Sequence, residues 1–154
     1  MKHIFKEPPA AVSEVFLVGD QRGCFHLSDI DAPERDQSLG IAARDHLRSL
    51  INRGNGSIVV VPVEQDQYGR TVAELYVQPR SGQDYQAGEE IAVNAQMVVD
   101  GFAYHYAQYS GDCPNGGLLA AIESQAQAAR RGVWSHSNSV RPFLQRQHYD
   151  STNQ

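Results

Sequence analysis

Several features are scarce or missing in this chain of 154 residues. It has two cysteines, Cys24 and Cys113, and no Cys-x-x-Cys pair, which argues against a zinc site. Two free thiols are favoured over a disulfide between them. No apolar run is long enough to span a membrane, and the first residues lack the apolar region of a signal peptide. We therefore expect no membrane association, and a protein that is either cytoplasmic or secreted with its leader already removed.

Positive charge is scarce as well. Lys and Arg number 13 against 18 Asp and Glu, which gives a formal net charge of -5. Proteins that bind nucleic acid through an extended surface are usually basic, so any nucleic-acid binding by this acidic chain has to come from a local site. The length suits one domain, and a hydrophobic fraction of 41% is enough for one packed core.

The pattern of apolar and β-branched residues predicts strands and helices in a mixed order. Strands are predicted at residues 15–18, 24–28, 57–63 and 71–77, with a turn at 19–23. Helices are predicted at 41–51, 94–99 and 118–129. Asn94 is predicted to cap the second helix. Three glycines are predicted to follow the helix ends, namely Gly54, Gly101 and Gly132.

Two short segments carry the residues from which chemistry is expected. Ile30-Asp31-Ala32-Pro33-Glu34 sets two carboxylates around a proline, and Asp66-Gln67-Tyr68-Gly69-Arg70 ends with an arginine after a glycine turn. A metal-binding acid, a second acid near water and a fixed guanidinium are what phosphodiester cleavage requires. Each segment alone is ordinary turn chemistry, so their order and surroundings carry the inference.

Taken in order, these segments and their neighbours resemble the staphylococcal nuclease (thermonuclease) family over about residues 15–134. The resemblance includes Cys24-Phe25-His26-Leu27, Gly40-Ile41-Ala42-Ala43, Thr71-Val72-Ala73, Asn94, Gly101-Phe102-Ala103, Glu123 and Gly132-Val133-Trp134-Ser135. It implies an α+β, mainly β fold: a small five-stranded OB-fold barrel with three α-helices. We expect this domain at residues 1–143, followed by a polar tail at 144–154, in a monomeric protein.

The resemblance also implies roles for individual residues. Asp31 is similar to the family's calcium-ligating aspartate, and the backbone carbonyl of Ala32 would supply a second oxygen, in keeping with the hard oxygen ligands of Ca²⁺. Glu34 is similar to the glutamate that orients or deprotonates the attacking water. Arg70 is similar to an arginine whose planar fork binds the scissile phosphate. The plainer alternatives are a turn-forming aspartate, a solvated glutamate and a surface arginine.

Substrate-binding roles follow from the same resemblance. Tyr68 and Tyr109, with Tyr106 as a weaker candidate, are similar to the tyrosines around the family's nucleotide pocket, where a ring can stack on a base. Packing is the alternative, and for Tyr106 it is equally favoured. Asp66 lies near the same pocket by resemblance, and its alternative role is to begin the turn.

The sequence departs from the family at two positions. His26 stands where a second phosphate-binding arginine is usual, five residues before Asp31. Only the charged form of a histidine can replace that arginine, and only in part. The family's second metal aspartate would fall on Val12, so Glu14 is the nearest replacement; Asp20 and Asp29 would need a different local path.

We therefore expect a metal-dependent nuclease that hydrolyses phosphodiester bonds of DNA and RNA and prefers single strands. Its cofactor is expected to be weakly bound Ca²⁺ or another divalent ion, because calcium affinity follows the charge count of the ligands. The alternative is a catalytically impaired nuclease-like module that binds nucleic acid or protein. Retention of Asp31, Glu34 and Arg70 opposes that alternative, since folding alone does not require all three.

Overall fold

The computed structural model of the protein describes residues 13–18, 21–66, 69–79, 88–107, 116–137 and 141–142. The strands are β1 Ser13–Val18, β2 Gln21–Leu27, β3 Ile30–Asp31, β4 Gly54–Gln65, β5 Thr71–Pro79, β6 Ile91–Ala92 and β7 Tyr104–His105. The helices are α1 Gly40–Asn52, α2 Val93–Val99 and α3 Gly116–Ala128, followed by a 3₁₀ turn at Gly132–Trp134. The three predicted helices and four predicted strands are therefore present, and β3, β6 and β7 are additional.

The strands form one mixed sheet and one two-stranded ladder. In the larger sheet the order is β1-β2-β5-β4, and β6 pairs with β5 as well. Within the part of the chain that the structure describes, only β2 and β5 are parallel, and β3 pairs with β7 in an antiparallel ladder of its own. These helices and this mixed sheet make the fold α+β and mainly β, as expected. Among the described strands β1 and β4 form the two ends of the sheet, so the closed five-stranded barrel remains a prediction.

The first hairpin is tighter than the sequence suggested. Residues 21–23, which were assigned to the turn, belong to β2 and pair with β1, with Gln21 opposite Val18. The second strand ends at Leu27 rather than at Ser28, because Ser28 and Asp29 form a turn and Asp29 adopts a left-handed φ of 61°. Asp is one of the few residue types that enter this region without great cost.

The β4–β5 hairpin supplies one wall of the core. Alternate residues of β5 point inward and are fully buried, namely Ala73, Leu75 and Val77. Opposite them Ile58 and Val60 of β4 pack against the same core, whereas Val59 and Val61 face outward and are exposed. The ladder shifts register between Pro62 and Glu64. A proline cannot donate to a ladder, which fits the position of β4 at an edge of the described sheet.

Helix α1 covers the core with one face. Its buried residues are Gly40, Ala43, Leu47, Leu50 and Ile51. Ile41, which the periodicity placed on this face, is 53% exposed because the buried stripe runs through Ala43 and Leu47 instead. Gly54 directly follows the C-cap of α1, so it lies past the helix end as predicted, but it does not cap the helix. Arg53 caps α1 in a right-handed conformation, donating its N–H toward Ser49 and Leu50, and Gly54 opens β4.

Helix α2 begins without the predicted cap. Its N-cap is Ala92, and Asn94 lies inside the first turn with its side chain 6% exposed. The Asn94 amide accepts a hydrogen bond from Leu75 N–H at 3.1 Å and donates to the carbonyls of Ser28 at 3.0 Å and Ala73 at 3.2 Å. Asn94 therefore joins the helix to β5 and to the end of β2, a role that local sequence could not reveal.

The turns after α2 and α3 pack directly on each other. Gly101 ends α2 with a φ of 77°, as predicted, and its carbonyl accepts a hydrogen bond of 2.8 Å from Val133 N–H. A side chain on Gly132 would overlap the Gly101 carbonyl oxygen. Gly132 opens the 3₁₀ turn rather than ending α3; Arg130, with a φ of 52°, is the left-handed residue after that helix.

The buried amide of Asn94 provides a test of this packing. We expect Asn94→Ala to lower the free energy of unfolding by about 2–4 kcal/mol, because it leaves the Leu75 N–H without its acceptor in a buried position. Ser124→Ala, at an exposed position of α3, is the control and should change stability by less than about 0.5 kcal/mol. Equal urea midpoints for the two variants would contradict this role.

An ion pair joins α1 to the end of α2. The Nε2 of His46 lies 2.8 Å from Oδ2 of Asp100, and Gln96 donates to both carboxylate oxygens. Burial opposes the charge on Asp100, but the hydrogen bonds with His46 and Gln96 and the attraction of His46 and Arg53 outweigh it. The pKa of Asp100 therefore lies below its ordinary value of 3.8.

A carboxyl group with a lowered pKa stabilises the folded state above its unfolded pKa, and that contribution is lost as the pH falls through the folded pKa. Asp100→Asn should therefore be less stable than the parent at pH ~7, and the difference should shrink as the pH drops below about 4. Urea unfolding of both proteins between pH ~7 and pH ~2.5 measures this. A difference that stays constant over the range would show that the charge of Asp100 is not responsible.

Candidate active site

Asp31 lies in a short, fixed ladder at the end of the β2–β3 turn. It pairs with Tyr104 of β7, and the neighbouring Ile30 pairs with His105. Tyr106 N–H donates to the Asp29 carbonyl at 2.7 Å, which extends the contact into the turn. The whole Asp31 residue is 9% exposed. A ligand at the Asp31 carboxylate would therefore meet a backbone that is already in place.

β7 is in turn held by residues far along the chain. Glu123 of α3 accepts a hydrogen bond from His105 N–H at 2.9 Å, and Arg141 donates to the His105 carbonyl at 2.9 Å. Arg141 also pairs with Glu123 at 3.0 Å. Glu123 was one of the residues that carry the family resemblance. These contacts give it a structural role, since it holds the strand that pairs with Asp31.

Two aromatic rings complete this support. Tyr104 and Trp134 meet edge to face with centroids 5.0 Å apart, and the Arg141 guanidinium lies 5.1 Å and 5.6 Å from their centroids. Such cation–π contacts add to the hydrogen bonds that Arg141 makes. Nothing in the sequence pattern singled out Arg141, because its partners lie on β7, α3 and the 3₁₀ turn.

Glu34 is half-buried and begins the loop between β3 and α1. Its N–H donates to the side-chain oxygen of Gln37 at 2.9 Å. Glu34 follows Asp31 by three residues through the buried pair Ala32 and Pro33. Asp31 at the end of β3 and Glu34 in the following loop therefore lie on one short segment of the chain. Gln37 was not identified from the sequence.

Arg70 is oriented by Asp66 across the tight turn that ends at β5. The Asp66 carboxylate accepts hydrogen bonds from Arg70 N–H at 2.8 Å and from Arg70 Nε at 2.5 Å. Gly69 has a φ of 76° and donates to the Asp66 carbonyl. Both side chains are mostly shielded, with 28% of Arg70 and 17% of Asp66 exposed. Asp66 thus begins the turn, and it also fixes the plane of the guanidinium.

The parallel pairing of β2 with β5 brings His26 toward Arg70. His26 is half-buried and lies in register with Val72, so their side chains share one face of the sheet. Arg70 precedes Val72 by two residues, which puts it at the same face where β5 begins.

The oxygen donors near Asp31 fit a hard divalent cation, but the set is small. Asp31 offers a carboxylate and Ala32 a backbone carbonyl, whereas Ca²⁺ takes about 6–8 oxygen ligands. Within the part of the chain that the structure describes, no three His, Cys, Asp or Glu side chains cluster as a metal site.

The side chain of Glu14 lies outside the described residues, as do Tyr68 and Tyr109. Tyr106 is half-buried beside the β2–β3 turn.

Comparison with known proteins relates the chain to one family. The family model for staphylococcal nuclease homologues matches residues 24–136. A protein of Shigella flexneri named micrococcal nuclease is 35% identical over 129 residues, which make up 82% of this chain and 70% of that protein. A protein of Escherichia coli named uncharacterized endonuclease is 31% identical over 120 residues, 78% of this chain and 68% of that protein.

A plant relative covers more of this chain. A probable staphylococcal-like nuclease of Oryza sativa subsp. japonica is 30% identical over 139 residues, which make up 90% of this chain and 36% of that protein. The region matched by the family model contains His26, Asp31, Glu34, Asp66 and Arg70.

In the described part of the chain, no helix has both the length and the apolar character needed to cross a membrane.

The support of β7 by Arg141 can be tested through the single tryptophan of the chain. We expect Arg141→Met to lower the free energy of unfolding by about 1–2 kcal/mol, since it removes hydrogen bonds to His105 and Glu123 and the contact with Trp134. The emission of Trp134 should change in the folded state. Arg44→Met, which removes a surface pair with Asp45, is the matched control. Unchanged fluorescence and stability in Arg141→Met would show that Arg141 does not support β7.

Proposed function

This chain belongs to the staphylococcal nuclease family, and we propose that it is a metal-dependent nuclease hydrolysing phosphodiester bonds of DNA and RNA. The observation that carries the proposal is the fixed guanidinium of Arg70, held by Asp66 where β5 runs beside the strand leading to Asp31 and Glu34. A planar fork held in one orientation suits a phosphate, because two of its oxygens can be bound at once.

In the proposed reaction, water attacks phosphorus and the bond to the 5′ oxygen breaks. Glu34 orients the water or takes its proton, and Arg70 stabilises the negative charge that builds up on the phosphate oxygens. His26, on the same face as Arg70, adds positive charge only when protonated. In this scheme Glu34 is the base. Arg70, beside β5, and His26, in β2, are the two cationic positions that contact the phosphate.

We propose weakly bound Ca²⁺ as the cofactor, with another divalent ion as a substitute. Asp31 and the Ala32 carbonyl would hold it, and Glu14 is the candidate for a further ligand. A cation there supplies Lewis-acid stabilisation of the phosphate charge. One described carboxylate is less than a tight calcium site usually offers, so affinity should be low.

Single strands are the proposed preference. Tyr68, Tyr106 and Tyr109 are the proposed stacking partners, and unstacked bases expose the faces that such rings bind. The negative net charge also favours a local pocket over a long groove along a duplex. We further propose a closed OB-fold barrel and a monomer. The relatives are named as nucleases or endonucleases, which supports an enzyme over the impaired binding module.

The test is cleavage of heat-denatured DNA, RNA and intact duplex, with Ca²⁺, with Mn²⁺ and with a chelator. We expect cleavage that needs the metal and is faster on denatured substrate. Glu34→Gln and Arg70→Gln should each reduce kcat by about 10²–10³-fold while circular dichroism stays unchanged, as for loss of one preorganised contact. Arg130→Gln, on the exposed turn after α3, is the control for a lost positive charge.

Two results would contradict the proposal. Parent-like cleavage by both Glu34→Gln and Arg70→Gln would mean that the site lies elsewhere. A folded parent that cleaves none of the substrates with any divalent ion, but still retards them in a gel, would favour the binding module.

A further inference from the structure

Gln37 contacts both backbone polar groups of Glu34. Its side-chain oxygen accepts the Glu34 N–H at 2.9 Å, and its own N–H donates to the Glu34 carbonyl at 2.9 Å. The two bonds close a small ring over residues 34–37, in the same reciprocal manner as a capping box at a helix start. One residue, through its side chain and its backbone N–H, thus holds the backbone of the acid on which water activation is proposed to depend.

The first residue of α1 packs closely against the Glu34 carbonyl group. Gly40 N–H donates to the Gln37 carbonyl at 3.0 Å, and a side chain at position 40 would overlap the Glu34 carbonyl oxygen. Gly40 is buried in the structure. The Glu34 backbone is therefore enclosed between Gln37 on one side and the first turn of α1 on the other.

The loop also contains a strained residue. Leu39 is the N-cap of α1 and adopts φ 65° and ψ 3°, with no side-chain hydrogen bond to the helix. In a left-handed conformation the Cβ of an L-residue comes too close to the following carbonyl oxygen. Such strain persists only where surrounding contacts over-determine the backbone, and it is concentrated at functional sites. Here the contacts are those of Gln37 and Gly40, which hold the loop before any substrate arrives.

We propose that Gln37 is a positioning residue for the cleavage reaction, acting through the backbone of Glu34; this rests on the function proposed above. Water activation requires the Glu34 carboxylate at a defined distance from the phosphate, and a displacement of about 1 Å can cost on the order of 10² in rate. Gln37 itself need not touch substrate. Its contribution is to keep the residue three positions earlier in one place.

Two substitutions separate the hydrogen bond from the bulk of the side chain. Gln37→Met keeps the length but removes the acceptor, whereas Gln37→Glu keeps an oxygen that can accept the Glu34 N–H. We expect Gln37→Met to lower kcat about 10- to 100-fold with KM nearly unchanged. Gln37→Glu should keep kcat within a few-fold of the parent. Its added charge repels an anionic substrate and should raise KM in a salt-dependent way.

Amide hydrogen exchange measures the hydrogen bond between the Glu34 N–H and the Gln37 side chain independently of activity. The Glu34 amide should exchange about tenfold faster or more in Gln37→Met than in the parent, and at nearly the parent rate in Gln37→Glu. A double variant then tests the route. In a Glu34→Gln background, Gln37→Met should have little further effect on the residual rate, because the group that it positions is already gone.

The outcomes are distinct. Faster exchange of the Glu34 amide, a fall in kcat and no added loss in the Glu34→Gln background support the proposal together. A Gln37→Met variant with parent-like kcat, or with an equal loss in both backgrounds, overturns it. If the parent cleaves no substrate, the proposed nuclease function fails, and parent-like exchange of the Glu34 amide in Gln37→Met would separately overturn the Gln37 contact.

Discussion

The amide of Asn94 occupies the place where the parallel pairing of β2 and β5 ends. After Leu27 the chain turns at Ser28 and Asp29 and leaves β5, while β6 joins β5 only from Tyr76 onward. Between these points the Leu75 N–H is buried and faces no strand among the described elements. Asn94 accepts that N–H and donates to the Ser28 and Ala73 carbonyls. A buried backbone group without a partner would be costly, so this contact permits β2 to depart.

That departure creates the site. The chain that leaves β5 becomes β3, where Asp31 pairs with β7, and then enters the loop that carries Glu34. Because β3 and β7 have two residues each, their ladder cannot hold itself, and Glu123 and Arg141 secure it from α3 and beyond. Side-chain contacts to the backbone thus hold the acidic half of the site.

The cationic half is built differently. Arg70 is ordered by Asp66 within one turn, so its geometry is local, and the β2–β5 register then brings it to the face shared with His26. The Asp66 carboxylate partly offsets the charge of the arginine that it orients, while the whole chain is negative. In the proposed function, attraction of the polyanionic substrate is confined to short range, where a guanidinium of fixed orientation selects phosphate geometry more than it raises overall affinity.

Elements with local signals could be predicted from the sequence. The β-branched runs predicted β4 and β5, the apolar spacing predicted α1 and α3, and the turn segments around Asp31 and Arg70 identified the site candidates. Other features emerge only on folding, namely the two-residue strands, the burial of Asn94 inside α2, the exposure of Ile41, and the contacts of Gln37 and Arg141. Strands this short have no periodicity to read. A side-chain amide or guanidinium finds its role from backbone groups brought close by folding, often from tens of residues away, and no local pattern encodes that proximity.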